Sequence, residues 1–104
     1  MRVLVVDVGG THVKVLASGQ KQSREFSSGP TLTAEQMVAG VKAATPDWEY
    51  DAVSVGYPGP VLDSRPVVEP RNLGRGWVGF NYQAAFGCPV KVINDAAMQA
   101  LGSY

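Results

Sequence analysis

The sequence is poor in the residues that build metal cages and disulfide frameworks. One cysteine, Cys88, and one histidine, His12, occur in 104 residues. That excludes an intrachain disulfide, and a Cys/His zinc cluster supplied by these residues alone. Charge of one sign is lacking too: nine basic and nine acidic residues cancel to a formal net charge of zero, with no run of either. The electrostatic footprint of a nucleic-acid or anionic-membrane partner is therefore missing. No apolar run approaches the roughly 20 residues that span a bilayer. Met1-Arg2 leads directly into strand-like residues, without the pattern of a cleavable leader. A cytoplasmic location is the resulting expectation.

What is there suits one α/β domain: 45% hydrophobic and 17% charged residues, enough for a core but small for a complete two-substrate enzyme. Val3 to Val8 reads as a strand buried on both faces. Gly9-Gly10 breaks it, and Thr11 to Leu16 reads as a second strand. Ser18-Gly19 offers a turn into a third, from Gln20 to Phe26. Thr33-Ala34-Glu35-Gln36 is a capping box, with Leu32 and Met37 placed for a hydrophobic staple. Met37, Val38, Val41 and Ala44 form one apolar stripe, and Pro46 stops the helix. Asp51 to Gly56 alternates as a strand and is followed by the rigid turn Tyr57-Pro58-Gly59-Pro60. Val61-Leu62 and Val67-Val68 suggest a small hairpin that Pro66 keeps at an edge. Glu69 to Gly79 reads as a mobile glycine-rich loop. Asn81 caps a short helix ending at Gly87, Pro89 to Ile93 is a further strand, and Asn94-Asp95 opens a last helix from Ala96 to Leu101. An antiparallel meander followed by βα units implies a mixed sheet with helices on its faces.

The stretch VVDVGGTHVKV, Val5 to Val15, carries the first chemical signal. Two readings of its turn stand side by side. In one, Gly9 and Gly10 only close a hairpin. In the other, the turn aims successive amides at phosphate oxygens, and Thr11 adds a hydroxyl. Asp7 tilts the balance, because a carboxylate ending a buried run needs a partner; it suits a magnesium ion that keeps most of its water. In an ideal pleat Lys14 points to the opposite face from Thr11, so a twist, a bulge or a reach around the edge is needed for both to meet phosphate. The motif is neither a Walker loop nor a Rossmann fingerprint, since a strand rather than a helix follows the glycines.

DVGGTHVKV resembles the first phosphate motif of the sugar kinase, Hsp70 and actin superfamily. GYPGPV, NLGRGW and VKVINDAAMQALGSY follow in the order and spacing of the ROK family of sugar kinases, whose polyphosphate glucokinase-like branch is included in the likeness. The resemblance covers the whole chain. It implies a ribonuclease H-like (actin-like ATPase) lobe, with residues 1–104 as the N-terminal lobe and the C-terminal lobe absent. It further implies a Mg²⁺-dependent phosphoryl transfer from ATP or polyphosphate to the 6-hydroxyl of glucose or a similar hexose. Asp7, Gly9, Gly10, Thr11 and Lys14 would face the donor, Asp7 also serving the metal. Pro58, Gly59, Asn72, Asn94 and Asp95 would face the sugar, with Asp95 as the catalytic base.

Each assignment has a plainer rival. Asp95 at a helix start is a favoured cap that complements the helix dipole. Pro58-Gly59 is explained equally by a rigid loop. Asn72 is also an ordinary loop asparagine, and Trp77 reads more as a loop anchor than as a sugar platform. Arg71 and Arg75 would meet an anionic donor chain or simply be solvated. His12 reads as an incidental exposed residue. The family's second phosphate loop, adenosine-binding lobe and zinc cluster have no counterpart here, nor does the helix-turn-helix of ROK repressors. The resulting expectation is a lobe nearly inactive alone, with a homo-oligomer possible over the surface that a second lobe would bury. An amino-sugar kinase of the same superfamily and a non-catalytic binding or assembly lobe are the alternatives.

Overall fold

The computed structural model describes residues 2–71 and 73–94. The expected last helix, 96–101, lies outside the described residues, as do Asn72 and Asp95. The elements are β1 (Val3–Val8), β2 (His12–Ala17), β3 (Arg24–Ser27), α1 (Ala34–Ala44), β4 (Ala52–Tyr57), β5 (Val61–Leu62), β6 (Arg65–Pro66), α2 (Tyr82–Phe86) and β7 (Val90–Asn94). One sheet runs β3-β2-β1-β4-β7, and β5-β6 forms a separate hairpin. The first three strands are antiparallel neighbours, whereas β4 and β7 join parallel to β1. The mixed sheet with its opening meander is thus present.

The pleat separates two faces. Leu4, Val6 and Val8 of β1, Val13 and Val15 of β2, Val53, Val55 and Tyr57 of β4 and Val92 of β7 share one face and are buried. Helix α1 supplies Ala34, Met37, Val38 and Val41 to this core, and α2 adds Tyr82 and Phe86. Val3, Val5 and Asp7, on the other face, are only half-buried, so β1 is less enclosed than its apolar run predicts.

Helix α1 begins where the capping box puts it. The Thr33 hydroxyl accepts from the Gln36 amide at 3.1 Å, and the Gln36 side chain accepts from the Thr33 amide at 3.0 Å. It ends at Ala44, with Thr45 as C-cap ahead of Pro46. Gly40 lets it settle on β3: a Cβ there would lie 2.6 Å from the Phe26 ring.

Three expectations need correction. Strand β3 starts at Arg24 rather than Gln20, because the chain from Ser18 to Ser23 is spent on the turn and bend that precede pairing with β2. The second arm of the small hairpin is Arg65–Pro66, not Val67-Val68. Asp63 (φ 52°) and Ser64 (φ 62°) both adopt the left-handed region, which makes a two-residue loop and fixes the register. Finally, the 69–79 segment is fastened to the core, as set out below.

Candidate functional site at the carboxyl edge of the parallel strands

Strands β1, β4 and β7 point their carboxyl ends the same way, and each carries a flagged residue or turn there. The register aligns Asp7 with Gly56 and Tyr57 with Asn94. Asp7, the Pro58-Gly59 turn and Asn94 therefore emerge along one edge. Asp7 and Asn94 sit on strands separated by β4, and the register puts Asn94 with Tyr57 on the core face and Asp7 with Gly56 on the other. Crevices outside the carboxyl ends of parallel strands are the usual ligand sites of such sheets.

The Gly9-Gly10-Thr11 turn lies at this same edge, directly after β1. The Gly9 amide donates to the His12 carbonyl at 2.9 Å, closing the hairpin. A Cβ on Gly9 would stand 2.8 Å from that carbonyl oxygen, so close approach is what requires glycine here. Gly9 and Gly10 are not among the glycines of positive φ. Gly10 and Thr11 are exposed, and the Thr11 hydroxyl lies 3.1 Å from His12 Nδ1. The Ser28 hydroxyl and amide tie the next loop to the Gly9 and Thr11 carbonyls at 2.9 Å each.

Lys14 stands directly opposite Asp7 in the β1–β2 register, and Glu25 stands opposite Lys14 on β3. Facing residues of paired strands share a face. A row Glu25–Lys14–Asp7 therefore crosses the less enclosed face, and Gly56 adds no side chain to it. Lys14 is thus placed with Asp7, on the face away from the α1 core. Asp7 is half-buried and Lys14 exposed. Among the described residues no group of three His, Cys, Asp or Glu side chains gathers as a metal cage. A single carboxylate fits a hydrated Mg²⁺, which takes few protein ligands.

At the β4–β7 end of this edge, the Asn94 side-chain amide donates to the Gly59 carbonyl at 2.7 Å, fixing the Pro-Gly turn to β7. Gly59 packs over Tyr57: a Cβ there would lie 3.0 Å from the ring. Tyr57 is fully buried, and its hydroxyl donates to the Val68 carbonyl at 2.6 Å. Burial pushes that phenol up to about 12, the nearby Glu69 charge adding to the effect. Trp77 is fully buried, 5.8 Å from the Tyr57 ring, with its indole N–H on the Leu32 carbonyl. It anchors the loop. Gly74 closes against the chain before α1, donating its amide to the Leu32 carbonyl at 2.8 Å. A Cβ on Gly74 would meet the Thr31 carbonyl oxygen at 2.3 Å. The glycine serves contact, not mobility.

A cavity of about 530 Å³ lies elsewhere, between the β5–β6 hairpin, α2 and the outer edge of β7. It includes none of the flagged site residues. Sequence reasoning missed Glu69, whose carboxylate accepts from the Trp77 and Val78 amides, and Ser64, whose hydroxyl accepts from the Val92 amide at 2.8 Å. Ser64 and Val92 are far apart in the chain, and the Glu69 contact closes within one irregular loop, so no periodic spacing signals either.

A mixed sheet of this order, with an antiparallel opening, is a ribonuclease H-like lobe of the actin-like ATPase type. The chain belongs to the ROK family, whose model matches residues 3–104. It is similar to a ROK family glucokinase from Streptomyces griseus solved with glucose and AMPPNP: 25% identity, TM-score 0.69, covering 98% of this chain and 36% of that one. A ROK hexokinase from Thermus thermophilus matches at 24% identity and TM-score 0.73, over 97% of this chain and 37% of that one. A candidate N-acetylmannosamine kinase from Listeria monocytogenes matches at 24% identity and TM-score 0.65, over 98% and 38% respectively. The chain thus spans little more than a third of these relatives. No curated protein matches it. Among the described residues no helix is long and apolar enough to cross a membrane.

Proposed function

We propose that this chain is the N-terminal, sugar- and phosphate-facing lobe of a hexose kinase that moves a phosphoryl group from ATP or polyphosphate to the 6-hydroxyl of glucose or a similar sugar. The observation that carries the reading is the convergence of Asp7, the Gly9–Thr11 hairpin, Pro58-Gly59 and Asn94 on one sheet edge in a ROK family member.

Phosphoryl transfer asks the protein mainly for positioning and charge neutralisation. Asp7 would hold a hydrated Mg²⁺, which when bound neutralises donor phosphate charge. The Gly10 and Thr11 amides and the Thr11 hydroxyl would face the donor oxygens; the Gly9 amide is already committed to the hairpin. Lys14, on the face of Asp7, would add a cation. Asn94 steadies the Pro-Gly turn and, with Asn72, would bind sugar hydroxyls. Asp95 follows Asn94 in the chain and would accept the proton of the 6-hydroxyl as its oxygen bonds to phosphorus and the donor's bridging P–O bond breaks. A late proton loss in a loose transition state lets an ordinary aspartate serve.

The test is a transfer assay on the protein as encoded, with ATP and polyphosphate against a panel of hexoses and N-acetylhexosamines. The amino sugars are included because of the Listeria relative. Transfer to a hexose supports the reading. Preferential transfer to an amino sugar moves it to the second substrate class, and absence of transfer to any sugar leaves a binding or assembly lobe. The 104-residue chain alone is expected to be nearly inactive, because water exclusion and alignment need a closing partner lobe. Asp7→Asn is expected to weaken magnesium-dependent donor use while leaving sugar binding intact; unchanged magnesium dependence would remove Asp7 from the mechanism.

A further inference from the structure

We propose that the outward face of the β5–β6 hairpin is a self-association surface, covered by the same face of a second copy of this chain about a two-fold axis. Among the described residues the exposed large apolar side chains are Leu16, Leu62, Val67, Val68 and Val78. All but Leu16 lie on the hairpin or in the segment that follows it. The register groups two of them on one side. Val61 faces Pro66, and Leu62 faces Arg65. The Val67 amide donates to the Pro60 carbonyl at 3.2 Å, which extends the ladder by a further pair. Facing residues share a side. Pro66 is buried and Val61 half-buried, so their side turns inward. Pro60, Leu62, Arg65 and Val67 form the other side, and all four are exposed. Leu62 is 66% exposed and Val67 47%. Apolar side chains gathered in this way mark a contact surface, whereas singly scattered ones need no explanation.

The charges select the occupant. Asp63 and Arg65 are exposed and stand two positions apart at the hairpin tip. Neither is in an ion pair: among the described residues the ion pairs are Arg2–Glu49 and Arg24–Asp47. One charge of each sign beside an apolar face is complementary to itself. A two-fold contact is isologous, so Asp63 set against Arg65 of the partner subunit forms the same pair twice. A partner of single-sign charge would meet one like charge instead. The hairpin presents this face from a fixed base, because Val61 packs on the core and the Ser64 hydroxyl accepts from the Val92 amide of β7 at 2.8 Å. Removal of apolar area from water supplies the attraction, and the charges fix register and choice of partner. One hairpin face is a small area, so the dimer belongs to the weak, transient class.

The experiment is sedimentation velocity on the protein as encoded, over a concentration series. It compares wild type, Leu62→Ser, Arg65→Asp, Asp63→Arg and an equimolar mixture of the last two, with a thermal midpoint for each. Wild type is expected to self-associate reversibly. Arg65→Asp and Asp63→Arg each oppose like charges twice and should raise the dissociation constant about tenfold or more. Leu62→Ser should weaken association comparably, and the exposed Leu62 and Arg65 changes should leave the midpoint of the monomer in place. The mixture should regain association near the wild-type strength, because both opposed pairs again carry opposite charges. If Asp63→Arg does not fold in its left-handed turn, Asp63→Asn, which suits that conformation, carries the charge test with a smaller weakening. A wild-type protein that stays monomeric throughout the series overturns the proposal. So does association that Leu62→Ser and Arg65→Asp leave unchanged, which places the contact on another surface, and so does a mixture no stronger than its two components.

Discussion

Two glycine-rich segments flank the same sheet edge, and they are held by different means. The Gly9–Thr11 turn is set by backbone: β1 and β2 pair along its flanks, and the Gly9 amide closes it on His12. Among its described residues, segment 69–79 has no ladder. It is set by side chains, with Trp77 in the core, Glu69 across its own amides, and the Tyr57 and Tyr82 hydroxyls on the carbonyls of Val68 and Trp77. Glycine serves close approach in both, at Gly9 against His12 and at Gly74 against Thr31. The lesson is that glycine content alone does not separate a hairpin turn set by backbone pairing from a loop fastened by side chains. The first segment should therefore be disturbed by changes that distort its backbone turn, and the second by loss of single anchoring side chains.

The largest effect follows from removing the second segment's anchor. Trp77→Ala deletes a fully buried indole and its bond to the Leu32 carbonyl. It should cost about 3–5 kcal/mol, read from denaturant midpoints. If the loss is below about 1 kcal/mol, far short of a buried aromatic's usual cost, the loop is not fastened as described.

The complementary change targets the first segment. Gly9→Ala forces a Cβ against the His12 carbonyl oxygen, held by the hairpin bond. A cost of about 1–3 kcal/mol is expected, as for other overpacked sites. Amide exchange should rise at the β1–β2 turn and stay unchanged at Trp77; exchange rising equally in both would merge the two segments into one unit.

The smallest effect concerns the meander behind that hairpin. Arg24 of β3 bonds Asp47 and the Ala44 carbonyl at the end of α1, and lies 4.2 Å over the Trp48 ring. The Arg24 hydrogen bond lowers the Asp47 carboxyl to about 2, below its ordinary 3.8. A depressed folded-state value stabilises the native state above the unfolded pKa, and that contribution fades as pH falls through the folded one. The melting temperature should therefore drop slightly more steeply between about pH 4 and 2 in wild type than in Asp47→Asn, at low salt. Identical slopes would show that the exposed pair contributes nothing, a common outcome for surface pairs.

Much of the fold was legible because its signals are local. The Thr33–Gln36 capping box set the start of α1, and Pro46 its stop. Asn81 and Gly87 bracketed α2, Gly87 as a left-handed C-cap. Harder features rest on backbone conformations and contacts that no local pattern signals. The register of β5–β6 rests on Asp63 and Ser64 both entering the left-handed region, which neither residue type advertises. The fastening of 69–79 rests on Tyr57 and Leu32, reached only through the tertiary fold, and on the nearby Tyr82 hydroxyl. At the site, the sequence named the residues along the edge, but the alignment of Lys14 with Asp7 and the bond from Asn94 to Gly59 came from strand pairing.

The central claim is that this edge performs phosphoryl transfer with the carboxylate after Asn94 as base. The most direct measurement is the kinetics of Asp95→Asn in the protein as encoded, with sugar affinity measured separately. The account predicts a fall in kcat of about a hundredfold or more, in keeping with loss of a general base, with sugar affinity changed only a few-fold. A variant of reduced stability that turns over at the wild-type rate would contradict it and leave Asp95 as a helix cap.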